Sequence, residues 1–144
     1  MKKTMSVKNK KRIEARNGQN LEVDMEATKI LRTVRDQDAF HFYEAIGKPT
    51  GEIARNLSDF LDRVKSVKSE SLIFHLQRRD FQNWIEKILG DSKLAGELGR
   101  ISSSNYDDVR MSIYKTVENR INQLRESSVS IQVGENRVVQ LPAS

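Results

Sequence analysis

Between Phe74 and Asp91 the chain reads FHLQRRDFQNWIEKILGD, and four of these residues could do chemistry together. His75 near Asp80 could serve as a general base, because a carboxylate orients an imidazole and stabilises the proton it takes up. Arg78 and Arg79 could hold a phosphate or carboxylate through paired guanidinium N–H donors. Catalysis would need partners that the chain scarcely supplies. His41 is the second of only two histidines, cysteine is absent, and no GxSxG, HExxH or P-loop spacing occurs. The histidines and acids show no ligand spacing that would indicate a metal, and nothing in the sequence calls for a cofactor. The candidate site is therefore His75, Arg78 and Arg79, with anion or partner binding as its chemistry.

These residues must be positioned by the helices around them. Stepping Ser71 to Leu89 at about 100° per residue places Leu72, Ile73 and Leu76 on one face. Phe81, Trp84, Ile85 and Ile88 then fall on a face rotated by roughly a third of a turn. One straight helix cannot bury both sets, which predicts a break at Arg79-Asp80. The break offers the polar cluster a purely structural role. Asp80 would be the N-cap of the second helix, Arg78 and Arg79 would meet the negative end of the first, Trp84 would face the core, and His75 would be exposed or bonded at the joint.

Asn17 to Asn20 reads as a turn-rich break. Leu21 to Asp24 is a candidate extended piece, and Asp24 can cap a helix carrying Ala27, Ile30, Leu31 and Val34. In DAFHFYEAIGKPTG, Phe40 and Phe42 alternate, but Phe40, Ala45 and Ile46 favour a helix that Gly47, Pro49 and Gly51 would end. Asn56 with Asp59 three residues on signals the next helix, supported by an Asp59–Arg63 ion pair. Gly90-Asp91 is a stop followed by a new cap, ahead of Leu94, Ala95, Leu98 and Ile101. Tyr106, Val109, Ile113, Val117, Ile121 and Leu124 make one stripe along some 19 residues, or about 28 Å of helix. VSIQVGENRVVQL alternates around Gly134-Glu135-Asn136 and reads as a β-hairpin. The expected fold is mainly α: a compact bundle of about five helices over 19–126, a C-terminal β-hairpin extension over 127–144, and a flexible basic tail over 1–18.

The 144 residues suffice for one domain with a real core. Net charge is +5, from 25 basic and 20 acidic groups. Lys2, Lys3, Lys8, Lys10, Lys11 and Arg12 lie in the first twelve residues with no acid among them, so the rest of the chain is near neutral. Those six cations could attract a phosphate backbone in a salt-sensitive, sequence-blind way. No aromatic residue is interleaved among them for base stacking. No apolar stretch of about 7–15 residues follows the basic start and no run of about 18 apolar residues occurs, which predicts a cytoplasmic protein without a membrane anchor.

Phe40, Phe42, Gly47, Leu57 and Phe60, then His75, Arg78, Asp80, Phe81 and Trp84, then Gly90, Asp91, Leu94 and Ala95 form a pattern. It resembles that of a small uncharacterised helical domain family found largely in archaea. The likeness covers about Ala39 to Leu124; Arg79 stands where that pattern often has glycine. The resemblance implies a compact helical module, names no substrate, and would make His75, Arg78 and Asp80 the matching residues of any functional His-Arg-Asp pattern. The leading expectation is a non-enzymatic protein-interaction or regulatory module, with the C-terminal hairpin edge available for pairing with a partner protein or for self-association. The second is a nucleic-acid or ribonucleoprotein accessory protein, using the tail together with Arg78, Arg79 or Arg110, Lys115, Arg120 and Arg125. The third is a small anion-handling enzyme centred on His75.

Overall fold

The computed structural model of the protein describes residues 25–103 and 106–143. The basic tail over 1–18, the break at Asn17 to Asn20 and the extended piece at Leu21 to Asp24 lie outside them. The chain divides into two units, and the site belongs to the one formed by residues 30–122. No helix among the described residues is long and apolar enough to cross a membrane.

Residues 25–31 are helical (α1). The helix stops before Val34, whose backbone N–H bonds to the Arg55 carbonyl at 2.8 Å. A 3-10 turn at Asp36–Asp38 leads into two antiparallel strands, β1 (Phe40–Ala45) and β2 (Lys48–Ala54). This corrects the helix expected over the same residues. Residues two apart lie on opposite sides of a helix but on one face of a strand, and Phe40 and Phe42 are both buried while His41 between them is exposed. The phenylalanines share one core only if the chain is extended. Gly47, at φ 76°, takes the positive backbone angle of the turn, and Pro49 sits in a strand that has β1 on one side only.

The helices α2 (Leu57–Ser66), α3 (Ser69–Arg78), α4 (Asp80–Trp84), α5 (Ser92–Leu98) and α6 (Tyr106–Ala143) follow. The Asn56 side chain caps α2 by accepting from the Asp59 N–H at 2.7 Å. Arg63 turns away from Asp59, to Glu52 at 3.1 Å and the Ile53 carbonyl at 3.0 Å. α4 continues into a π-type turn at Ile85–Leu89. Both the Gly90 and Asp91 N–H groups reach the Ile85 carbonyl there, at 2.9 and 3.0 Å, and Gly90 adopts the left-handed angle that glycine tolerates. Arg32 Nη2 satisfies the Ile88 carbonyl at 2.7 Å.

The C-terminal β-hairpin is a second correction: α6 is one helix to Ala143. The alternating stretch also carries a helical register, since Val117, Leu124, Ile131 and Val138 recur every seven residues. A helix satisfies its backbone N–H and C=O groups within itself, whereas an isolated two-stranded hairpin is marginal in water. Gly134 costs that helix about 1 kcal/mol without ending it. Self-association through a C-terminal strand edge loses its basis.

In the 30–122 unit α6 buries Val109, Ile113, Val117 and Ile121 and is fastened by two arginines. Arg110 donates through Nη1 to the Val64 and Val67 carbonyls, at 2.5 and 2.7 Å, closing the end of α2. Arg120 meets Asp91 at 2.7 Å, and the Asp91 carboxylate also caps α5 by accepting from the Leu94 N–H at 3.0 Å. Asp91 is 2% exposed. Removing one partner of a buried ion pair strands the other. Asp91→Ala should therefore cost about 3–5 kcal/mol, read as a shift in the urea midpoint with unchanged slope.

Candidate functional site

The predicted break is present: α3 ends at Arg78, and Arg79 takes the left-handed angle φ 66°, the one non-glycine among the described residues to do so. Apolar burial shifts across it as the phase argument requires, from Leu72, Ile73 and Leu76 to Phe81, Trp84 and Ile85. Ile88, expected with the second set, is only half-buried, because the π-type turn carries Leu89 inward instead.

Asp80 is not the cap of α4. It is the first residue of that helix, and the position before it is Arg79, which has no side-chain cap. The Asp80 carboxylate turns back across the joint, where Oδ2 accepts from His75 Nδ1 at 2.8 Å and from Arg78 Nε at 2.9 Å. The guanidinium is a charged donor and binds a carboxylate more strongly than a neutral backbone N–H does.

Of the two expectations for His75, exposed or bonded at the joint, the second holds. His75 is 3% exposed, edge-on to Phe40 at 4.8 Å and beside Phe81 at 5.3 Å. Its Nε2 lies 2.8 Å from the backbone nitrogen of Tyr43 in β1. A backbone amide can only donate, so Nε2 is the bare nitrogen and the proton sits on Nδ1, donated to Asp80. Burial pushes the imidazole below its ordinary pKa and the Arg78 charge acts in the same direction, while the hydrogen bond and charge of Asp80 oppose them. With both ring nitrogens committed, His75 has no free atom with which to take a proton from a substrate.

Around this joint lies the aromatic core. Phe40 packs on Phe42 at 4.9 Å and on Phe81 at 5.1 Å, Phe60 packs on Phe81 at 5.0 Å, and Trp84 stacks on Phe60 at 6.0 Å. The Trp84 N–H donates to the Asp38 carbonyl at 2.8 Å, so Trp84 is core, as expected.

A groove of about 400 Å³ opens over the joint, lined by Phe40, His41, Tyr43, Ile46, Gly47, Phe74, His75, Arg78, Asp80 and Asn83. His75, Arg78 and Asp80 thus converge on one concave surface, whereas Arg79 is exposed beside it and is not among the lining residues. Arg78 lies over the Phe74 ring at 5.0 Å. Its Nε is taken by Asp80, and its remaining N–H groups meet no acceptor among the described residues. Ile46, 80% exposed, forms the apolar rim. Tyr43, Ile46 and Phe74 carry no sequence signal for the site, because two of them reach it only through a hairpin whose local spacing favours helix. Lys2, Lys3, Lys8, Lys10, Lys11 and Arg12 lie outside the described residues. Among those described, no group of three or more His, Asp or Glu is placed to hold a metal ion.

Two substitutions test this geometry. His75→Ala leaves the Tyr43 N–H unpaired and a cavity among the rings, and should cost about 2–4 kcal/mol in urea denaturation; unchanged stability would show that the imidazole does not hold the joint. Arg79→Gly should raise stability by about 0.5–1 kcal/mol, because a left-handed non-glycine residue costs about 1–2 kcal/mol, part of which the added freedom of the unfolded glycine cancels.

No family model, curated protein or solved structure matches this chain.

Proposed function

We propose that this protein is a non-enzymatic interaction module whose docking surface is the groove between the hairpin tip and α3. The observation that carries the reading is the saturation of His75. The cluster best suited to proton transfer has spent both imidazole nitrogens on holding β1 to the helix joint. What it offers outward is an apolar rim at Ile46, the half-buried rings of Tyr43 and Phe74, and the unused N–H groups of Arg78. A partner that fits presents an apolar side chain to the rim and a carboxylate or carbonyl oxygen to the guanidinium.

The resemblance to an uncharacterised helical domain family belongs to the same proposal. Its pattern residues are mostly those that build this unit: Phe40, Phe42, Phe60, Phe81 and Trp84 form the ring cluster, and Asp91 caps α5. His75 and Asp80 lock the joint, which leaves Arg78 as the pattern residue with donors to spare. The nucleic-acid reading loses Arg110 and Arg120, which are bonded to main-chain carbonyls and to Asp91, and keeps the tail with Arg78, Arg79, Lys115 and Arg125 as its support.

The test is affinity capture from the native cell with the full chain, run beside Ile46→Asp and Arg78→Ala. Ile46 is exposed enough for the exchange to leave the fold intact. Partners retained by the parent and lost by both variants support the groove. An identical set of partners on all three places binding elsewhere, and salt-sensitive retention of nucleic acid by all three replaces the reading with the nucleic-acid one.

A further inference from the structure

The hairpin has two unequal ends. At the base, Phe40 and Phe42 are buried in the ring cluster. The tip, residues 43–50, is exposed or half-buried throughout. Its pairing is irregular, with register shifts between His41 and Tyr43 and between Tyr43 and Ala45. Among the described residues, two polar contacts tie the tip to α3 and the segment before it. One is the Tyr43 N–H to His75 Nε2 bond at 2.8 Å, and the other is an exposed Glu44–Lys68 pair at 3.7 Å. The first of these has an acceptor that a proton abolishes.

We propose that His75 is a proton-operated latch: protonation of Nε2 removes the acceptor of the Tyr43 N–H, and the tip of the hairpin swings from α3 while its base stays in the core. A protonated Nε2 would set two donors against each other at hydrogen-bond distance, so the imidazolium disfavours the closed tip. Nδ1 keeps its bond to Asp80 in both states, and the ring therefore stays in place while the strand leaves. The groups facing the imidazole are Tyr43 from β1, Arg78 from α3 and Asp80 from α4. Asp80 favours the imidazolium, whereas Arg78 and burial oppose it, with burial the larger.

The sign follows from this balance. The closed state holds the imidazole below its ordinary pKa, so the open state binds more protons, and opening grows as pH falls beneath the ordinary imidazole value of about 6.5. It stops growing once the closed-state value is passed. Tyr43, Ile46 and Gly47 all line the groove, so the latch would reshape that surface, but it operates whether or not anything docks there.

Amide exchange and backbone NMR of the full chain from about pH 7.5 to about pH 5 test the latch. The Tyr43 amide should lose protection by up to about tenfold per pH unit within the window, with Ile46 and Gly47 shifting in step. The Trp84 indole N–H, bonded to Asp38 in the core, should not move. His41→Gln should leave this behaviour intact. In His75→Gln, whose side chain can accept from Tyr43 at any pH, the tip should no longer respond. A Tyr43 amide whose protection is flat across the range would overturn the proposal. So would loss of protection at Tyr43 and Trp84 together, which is global unfolding, or abolition of the effect by His41→Gln.

Discussion

A single buried imidazole couples the strands of the 30–122 unit to its helices. A two-stranded hairpin has too little surface to stand alone in water, and this one is held by packing Phe40 and Phe42 into the helices and by lending the Tyr43 N–H to His75. The same ring passes its other bond to Asp80, which also receives Arg78. The strand, the end of one helix and the start of the next are thus tied at one point. The left-handed turn at Arg79 allows this, because it brings the Asp80 carboxylate back over the helix that has just ended.

Arginine serves the interior of this unit in a consistent way. Arg32, Arg63 and Arg110 each donate to main-chain carbonyls left over at a helix or strand, and Arg120 neutralises the buried Asp91. The guanidinium suits this work because it is always charged and presents several donors in a fixed plane. Three of the fifteen lysines and arginines of residues 30–122 thus close backbone groups and a fourth is held by Asp91, so these four arginines add little to what the unit offers a polyanion.

The groove inherits its character from the joint beneath it. Chemistry at His75 would require a nitrogen free to exchange protons with a substrate, and with the hairpin tip closed the fold gives both to structure. Arg78 is the exception, half committed to Asp80 and half turned outward over Phe74. An apolar rim with one partly used cation is what the proposed recognition rests on.

The local sequence by itself determined the helix punctuation. The Asn56 cap, the break at Arg79-Asp80, the Gly90-Asp91 stop with its new cap and the buried stripe of α6 through Ile121 all depend on neighbours within a turn or two, where spacing and capping chemistry act directly. Tertiary structure decided the rest. Phe40 and Phe42 became a strand because a core formed by α2, α3 and α4 could accept both rings from one face. The C-terminal stretch, which carries strand alternation and a helical repeat at once, lay beyond what period alone could settle. Asp80, a good cap by local rules, was drawn away by a histidine and an arginine placed within reach by the turn at Arg79. His75, expected to be exposed or bonded at the joint, could be buried as well as bonded only because an amide from β1, thirty-two residues earlier in the chain, arrived to satisfy its second nitrogen. A buried polar group is decided by its partner, and a partner distant in sequence is not legible from the residues beside it.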